Sequence, residues 1–196
     1  MNKYAIVIPV YNEEDNVLLI AKALEALELP FLFIDDGSTD KTATNLWLND
    51  IPALCYYPNR GKSYAIRLGA NWLINEGYEY IMVLDGDGQH SIENIEKFDN
   101  ALLWEENKVD IFIGNRMNNI TQMPKINRFV NKWFSLVISK LCAVSIPDTQ
   151  CGFRLYNKRV FETLDLKCER FDGESEILVK AGRAGMGIKS IPIECI

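Results

Sequence analysis

The sequence predicts an α/β fold with a mostly parallel central sheet and helices on both faces. Short β-rich apolar runs alternate with segments of helical periodicity, and the alternation repeats over five units. Clusters of Asp and Gly fall just where several of the apolar runs end. Strand–helix alternation forces parallel strands whose crossovers cover both sheet faces. Ligands of such sheets bind beyond the carboxyl ends of the strands, so the acidic clusters lie where a site belongs.

Tyr4–Val10 is a continuous apolar run and reads as a buried strand, followed by helical spacing over Glu13–Leu27. Phe31–Ile34 is a second strand, closed by Asp35-Asp36-Gly37-Ser38. Thr39–Leu48 is helical, with Ser38 or Thr39 as its cap. Ala53–Tyr57 is a third strand, and Lys62–Glu76 a helix ending at Gly77. Tyr80–Leu84 is a fourth strand, closed by Asp85-Gly86-Asp87-Gly88. Ser91–Glu105 is helical and Asp110–Gly114 a fifth strand. Beyond it the pattern is less regular. Pro124–Val144 is one long helical segment, Asp148–Tyr156 a loop entering a strand, Glu174–Ala184 a helix and Ile188–Ile196 an apolar strand. No internal repeat, low-complexity tract or linker interrupts the 196 residues, which read as one domain, 1–196. The apolar ending leads us to expect that the natural chain continues.

Composition excludes several classes. The net charge of −6, from 21 basic and 27 acidic residues, is the wrong sign for a nucleic-acid binder. Five cysteines without a C-x-x-C pair, and one histidine, His90, do not make a zinc site. Their odd number and scatter fit reduced thiols in a cytoplasmic protein. The N-terminus lacks the features of a signal peptide, and no apolar stretch approaches the roughly 18 residues of a spanning helix.

The strand ends carry the chemistry. Asp85 and Asp87, separated by one residue after a buried strand, can face one site, and Gly86 permits close approach of a ligand. Oxygen donors of this kind suit Mg²⁺ or Mn²⁺, which would leave positions open for phosphate oxygens. Alone, the same turn would be an ordinary solvated acidic turn. Asp36 can accept from a ribose hydroxyl or a base N–H, while Ser38, Thr39 and Asp40 cap the following helix. Tyr11 offers a stacking face and Glu13 an acceptor; Asn12 could instead cap the first helix. Asn59-Arg60-Gly61-Lys62 places a lysine and main-chain N–H groups at a helix start, an arrangement that favours an anion and equally suits a surface loop. Arg116 follows the fifth strand, and Arg128 opens the long helix. Either can hold phosphate oxygens in bidentate fashion; Arg128 also reads as a solvated helix residue. Cys151 lacks a histidine neighbour and reads as a packed thiol.

Together, PVYNEE, DDGSTDKT, NRGKSYAIRLGA, LDGDGQH, GNR and DTQCGFRLY, in this order from residue 9 to residue 156, resemble family 2 glycosyltransferases of the GT-A fold. The nearest likeness is to polyprenyl-phosphate sugar transferases, the group of dolichol-phosphate mannose synthase. The resemblance implies that Pro9, Tyr11, Glu13 and Asp36 contact a nucleoside, and that Asp85 and Gly86 lie beside ribose and diphosphate. Asp87 and Gln89 would hold the metal, Mg²⁺ or Mn²⁺. Arg116 would bind phosphate of donor or acceptor, and Arg128 the acceptor phosphate. It implies an inverting transfer of a hexose from a GDP- or UDP-sugar to a polyprenyl phosphate. Such a monophosphate, with a second pKa of about 6, attacks without a base. A hydroxyl acceptor would need one, for which Asp148, Asp172 and Glu174 are candidates. The alternatives are a family 2 transferase acting on a saccharide or other hydroxyl, and a non-catalytic nucleotide-sugar-binding protein. A sugar nucleotidyltransferase would carry a Gly-rich basic loop after the first strand, which is lacking here. The mixture of Arg128, Lys132 and Lys140 with Phe129, Trp133 and Phe134 suits the cytoplasmic face of a membrane, and equally an ordinary packed helix.

Overall fold

The computed structural model describes residues 3–88, 91–105, 108–117, 125–167 and 173–194, the side chains of 125–128 excepted. Seven strands form one sheet: β1 (Tyr4–Val10), β2 (Phe31–Asp35), β3 (Ala53–Cys55), β4 (Tyr80–Val83), β5 (Ile111–Asn115), β6 (Arg154–Asn157) and β7 (Ile188–Pro192). Their order is β3-β2-β1-β4-β6-β5-β7. All pairs are parallel except those of β6, which runs antiparallel between β4 and β5. The helices are α1 (Val17–Ala26), α2 (Thr42–Leu48), α3 (Lys62–Asn75), α4 (Ile95–Glu105), α5 (Lys125–Cys142), α6 (Arg159–Thr163) and α7 (Gly173–Arg183).

Alternation along β1 builds two cores. Tyr4, Ile6, Ile8 and Val10 pack with Val17, Ile20 and Leu24 of α1, Phe98 of α4 and Leu178 of α7. Ala5 and Val7 join Leu32, Ile34 and Ile81 against Ala65, Ala70 and Leu73 of α3. A strand covered on both sides has no polar face, which is why β1 reads as an unbroken apolar run. Val10 stands opposite Asp35 in the parallel register, so β1 and β2 end level and their following loops meet.

The boundaries shift in instructive ways. Helix α1 begins at Val17 rather than Glu13, because Asn12 takes a left-handed conformation (φ 57°) and the loop bonds to its neighbour instead. Helix α2 begins at Thr42 rather than Thr39. Asp40, not Ser38 or Thr39, receives the N–H of Thr42 at 2.9 Å, while Ser38 is engaged by Asp35. Helix α3 starts where expected and stops one residue early, at Asn75, with Gly77 at φ 97° receiving the chain after it. The short helix α6 carries no sequence signal strong enough to announce it. No helix among the described residues is long and apolar enough to cross a membrane.

Candidate active site

The loops after β1 and β2 are clasped together. The Asn12 N–H donates to Ser38 Oγ at 2.9 Å, and the Thr39 N–H donates back to Asn12 Oδ1 at 2.8 Å. The Glu13 N–H donates to Thr42 Oγ1 at 2.8 Å, and its carboxylate accepts from Asn16 Nδ2 at 2.7 Å. Asp36, buried just beyond β2, accepts from Tyr56 Oη, the Arg60 N–H and the Gly61 N–H, each at 2.7 Å. It thereby ties the loop that precedes α3 to the sheet. The Arg60 guanidinium lies 3.6 Å from the centre of the Tyr64 ring, a cation–π contact that packs the same loop.

Lys62, the first residue of α3, points its ammonium at two carboxylates, 2.6 Å from Asp85 Oδ1 and 3.0 Å from Glu174 Oε2. Burial works against its charge, but Glu174 and Asp85 outweigh burial and hold the pKa above the usual lysine range. Asp85 follows β4 directly. A Cβ on Gly86 would lie 3.0 Å from the Pro9 carbonyl oxygen and closer still to Val10, so only glycine lets this turn cross the end of β1. A Cβ on Gly152 would overlap the Asp85 carboxylate itself. Gly152→Ala is therefore expected to push Asp85 aside and, by the sensitivity of catalysis to displacements of about 1 Å, to slow turnover about 100-fold. The check is the transfer rate beside a melting curve; a wild-type rate would mean that the crossing relaxes at no cost.

These residues surround one cleft of about 590 Å³, lined by Pro9, Tyr11, Glu13, Asp36, Lys62, Asp85, Gly86 and Asp87 together with Val10, Asn59 and Gly61. Acids from separate loops thus share a single space. Gln89 lies outside the described residues, as does the side chain of Arg128.

Arg116 is placed apart from that lining. Its Nε and Nη2 donate to Asp148 Oδ2 and Oδ1 at 2.8 and 3.1 Å, and its main-chain N–H to Oδ2 at 3.2 Å. Asn131 of α5 donates to Asp148 Oδ1 at 3.0 Å. Ser135, one turn on, accepts from the Thr149 N–H at 3.0 Å. Burial favours the neutral acid at Asp148, but the Arg116 hydrogen bonds prevail and lower its pKa. Because the folded pKa lies below the unfolded value of about 3.9, this pairing stabilises the fold above that pH and is lost only as pH falls through the folded pKa.

Arg154, at the start of β6, is 1% exposed. Its guanidinium donates to the carbonyls of Cys151, Thr149 and Glu174 and to Tyr156 Oη at 2.8 to 3.2 Å, and lies 3.6 Å from the Glu174 carboxylate. Sequence reasoning missed this hub. The available signal was an arginine between Phe153 and Leu155, two residues before Tyr156 and so on the same face. Cys151 is the packed thiol expected, and burial pushes its pKa up to about 12.

Oxygen donors around a cleft at the carboxyl edge of the sheet fit a hard divalent cation. Among the described residues no group of three or more His, Cys, Asp or Glu comes together as a metal site; of the two residues that the resemblance assigns to a metal, Asp87 lines the cleft and Gln89 lies outside the described residues. The sheet, with the acidic cleft at its carboxyl edge, has the GT-A fold. The chain belongs to glycosyl transferase family 2, whose sequence model matches residues 5–165, and it is a glycosyltransferase.

Among similar proteins, an uncharacterized protein of Methanocaldococcus jannaschii is 28% identical, covering 97% of this chain and 80% of its own. A dolichyl-phosphate beta-glucosyltransferase of Trichomonas vaginalis is 28% identical over 97% of this chain, which spans only 64% of that relative's length. The polyprenol monophosphomannose synthase of Mycolicibacterium smegmatis is 28% identical over 96% of this chain and 75% of its own. The crystal structure of glucosyl-3-phosphoglycerate synthase from Mycobacterium tuberculosis with Mn²⁺ and UDP-glucose shares the fold, with a TM-score of 0.74 at 14% identity, covering 98% of this chain and 70% of that one.

Proposed function

We propose that the chain transfers a hexose, with inversion, from a nucleoside-diphosphate sugar to a polyprenyl phosphate. An acceptor phosphate oxygen forms the new bond to the anomeric carbon as the bond to the diphosphate breaks, and the nucleoside diphosphate leaves with the electron pair. Tyr11, Glu13 and Asp36, with Pro9, form the nucleoside wall; Asp85 and Gly86 lie at the diphosphate. Asp87, with Gln89, would hold Mg²⁺ or Mn²⁺, whose chemistry is to neutralise charge on the leaving diphosphate. Arg116 and Arg128 receive the acceptor phosphate.

The observation that carries the acceptor choice is the state of the carboxylates. Asp148 is locked by Arg116 and Asn131, and Glu174 is held by Lys62 and Arg154. Neither is placed as a ready general base, and a phosphate acceptor needs none. Asp172 lies outside the described residues. The names of the Trichomonas and Mycolicibacterium relatives support the same acceptor class.

Helix α5 supports contact with a membrane surface. Its inner side is polar where it meets Asp148, through Asn131 and Ser135, while Phe129, Val130, Trp133, Phe134 and Leu136 are exposed. Lys132 and Lys140, exposed beside them, complement anionic headgroups.

The test uses radiolabelled UDP-glucose and GDP-mannose in turn, with Mn²⁺ and vesicles of anionic lipid carrying polyprenyl phosphate. Label from one donor is expected in the lipid extract, with the protein sedimenting with the vesicles, and chelation of Mn²⁺ should stop the transfer. Label passing only to a soluble saccharide, or no release of nucleoside diphosphate with any acceptor, would overturn the reading.

A further inference from the structure

The cleft is charged against its proposed ligand. Glu13, Asp36, Asp85 and Asp87 line it, and Lys62 is the one cation among the described residues lining it. A diphosphate would gain most from that ammonium. Yet the ammonium is already shared between Asp85 at 2.6 Å and Glu174 at 3.0 Å. Glu174 has little room to yield. It sits in the first turn of α7, its carboxylate lies 3.6 Å from Arg154, and its main-chain carbonyl accepts from the same guanidinium at 3.2 Å. Arg154 is itself anchored by the carbonyls of Thr149 and Cys151.

We propose that Glu174 is a positioning residue which, with Asp85, keeps Lys62 neutralised and so makes donor binding depend on a divalent cation. The inference rests on the donor reading above and adds to it the source of the metal requirement. With both carboxylates in place, a diphosphate entering alone meets an excess of negative charge among the described residues lining the cleft. A divalent cation brought with it reverses that sign. With the charge of Glu174 removed, Lys62 keeps one carboxylate partner and gains attraction for phosphate oxygens.

The experiment titrates UDP and GDP calorimetrically into the wild type and Glu174→Gln, each in chelator and in Mn²⁺. Glu174→Gln preserves shape and removes one negative charge a few ångströms from the ammonium, so metal-free affinity is expected to rise roughly 10-fold. The ratio of affinities with and without Mn²⁺ falls accordingly. In the Lys62→Met/Glu174→Gln double variant the gain should vanish, which ties it to the lysine rather than to a general loosening. Glu174→Asp, which keeps the charge, should retain the wild-type metal requirement. If Glu174→Gln does not fold, Glu174→Ser, short enough to leave Arg154 to its carbonyls, carries the same expectation. Unchanged or weaker metal-free binding in the neutral variants, with Mn²⁺-dependent binding intact in the wild type, overturns the inference and leaves the donor reading standing. A wild type that binds neither nucleotide with Mn²⁺ defeats the donor reading, and the inference with it.

Discussion

Arg154→Met should unfold the protein more readily than any other single change discussed here, by about 3–5 kcal/mol, the cost of breaking a buried ion pair from one side. The side chain is 1% exposed, and its guanidinium satisfies the carbonyls of Thr149, Cys151 and Glu174 and the hydroxyl of Tyr156. Methionine fills similar volume and returns none of those hydrogen bonds. The Glu174 carboxylate keeps Lys62 but loses the second cation beside it. Urea titration or calorimetric melting measures the loss, with a drop in melting temperature of about 10 °C expected for a chain of this size. Arg154→Lys keeps the charge without the planar fork and should recover part of the loss. A methionine variant as stable as the wild type would mean that the hub is dispensable.

Asp87→Ala should remove Mn²⁺-dependent binding of the nucleoside diphosphate and lower turnover by at least about 100-fold, since the lost group is the one proposed above as a direct metal ligand. The fold should be almost untouched, because the side chain is exposed, and surface substitutions of this kind move stability by about 0.5 kcal/mol or less. Nucleotide titration with and without Mn²⁺, beside a melting curve, separates the two effects. A variant that keeps the wild-type gain in nucleotide affinity on addition of Mn²⁺ would refute the assignment of Asp87. The contrast between the two variants is itself informative: one acts on the scaffold, the other on the ligand.

The carboxyl edge of the sheet was legible because β1, β2 and β4 are buried on both sides. Each shows as an apolar run, and the first polar residues after it mark the edge where ligands bind. Pro9, Tyr11, Glu13, Asp36, Lys62, Asp85, Gly86 and Asp87 could be assembled from that rule and from the motif order, and they line one cleft. Less legible were features created by distant pairing. The insertion of β6 between β4 and β5 depends on a long return of the chain that no local pattern announces. The Lys62–Glu174 pair joins the start of α3 to the start of α7, and sequence shows only two charged residues at two helix ends. Helix α5 shows why an amphipathic pattern is ambiguous. Its mixture of basic and aromatic residues was readable, but that Asn131 and Ser135 turn inward with Ile138 and Cys142 follows in part from Asp148, which offers Asn131 a partner. The starts of α1 and α2 were misplaced because Asn12, Ser38 and Asp40 serve the neighbouring loop or their own turn.

The reciprocal bonds between Asn12 and the Ser38–Thr39 turn have a thermodynamic meaning for recognition. A cradle assembled during folding meets its nucleotide with its conformational entropy already surrendered. Less of the intrinsic attraction is then consumed in ordering the loops at the moment of encounter.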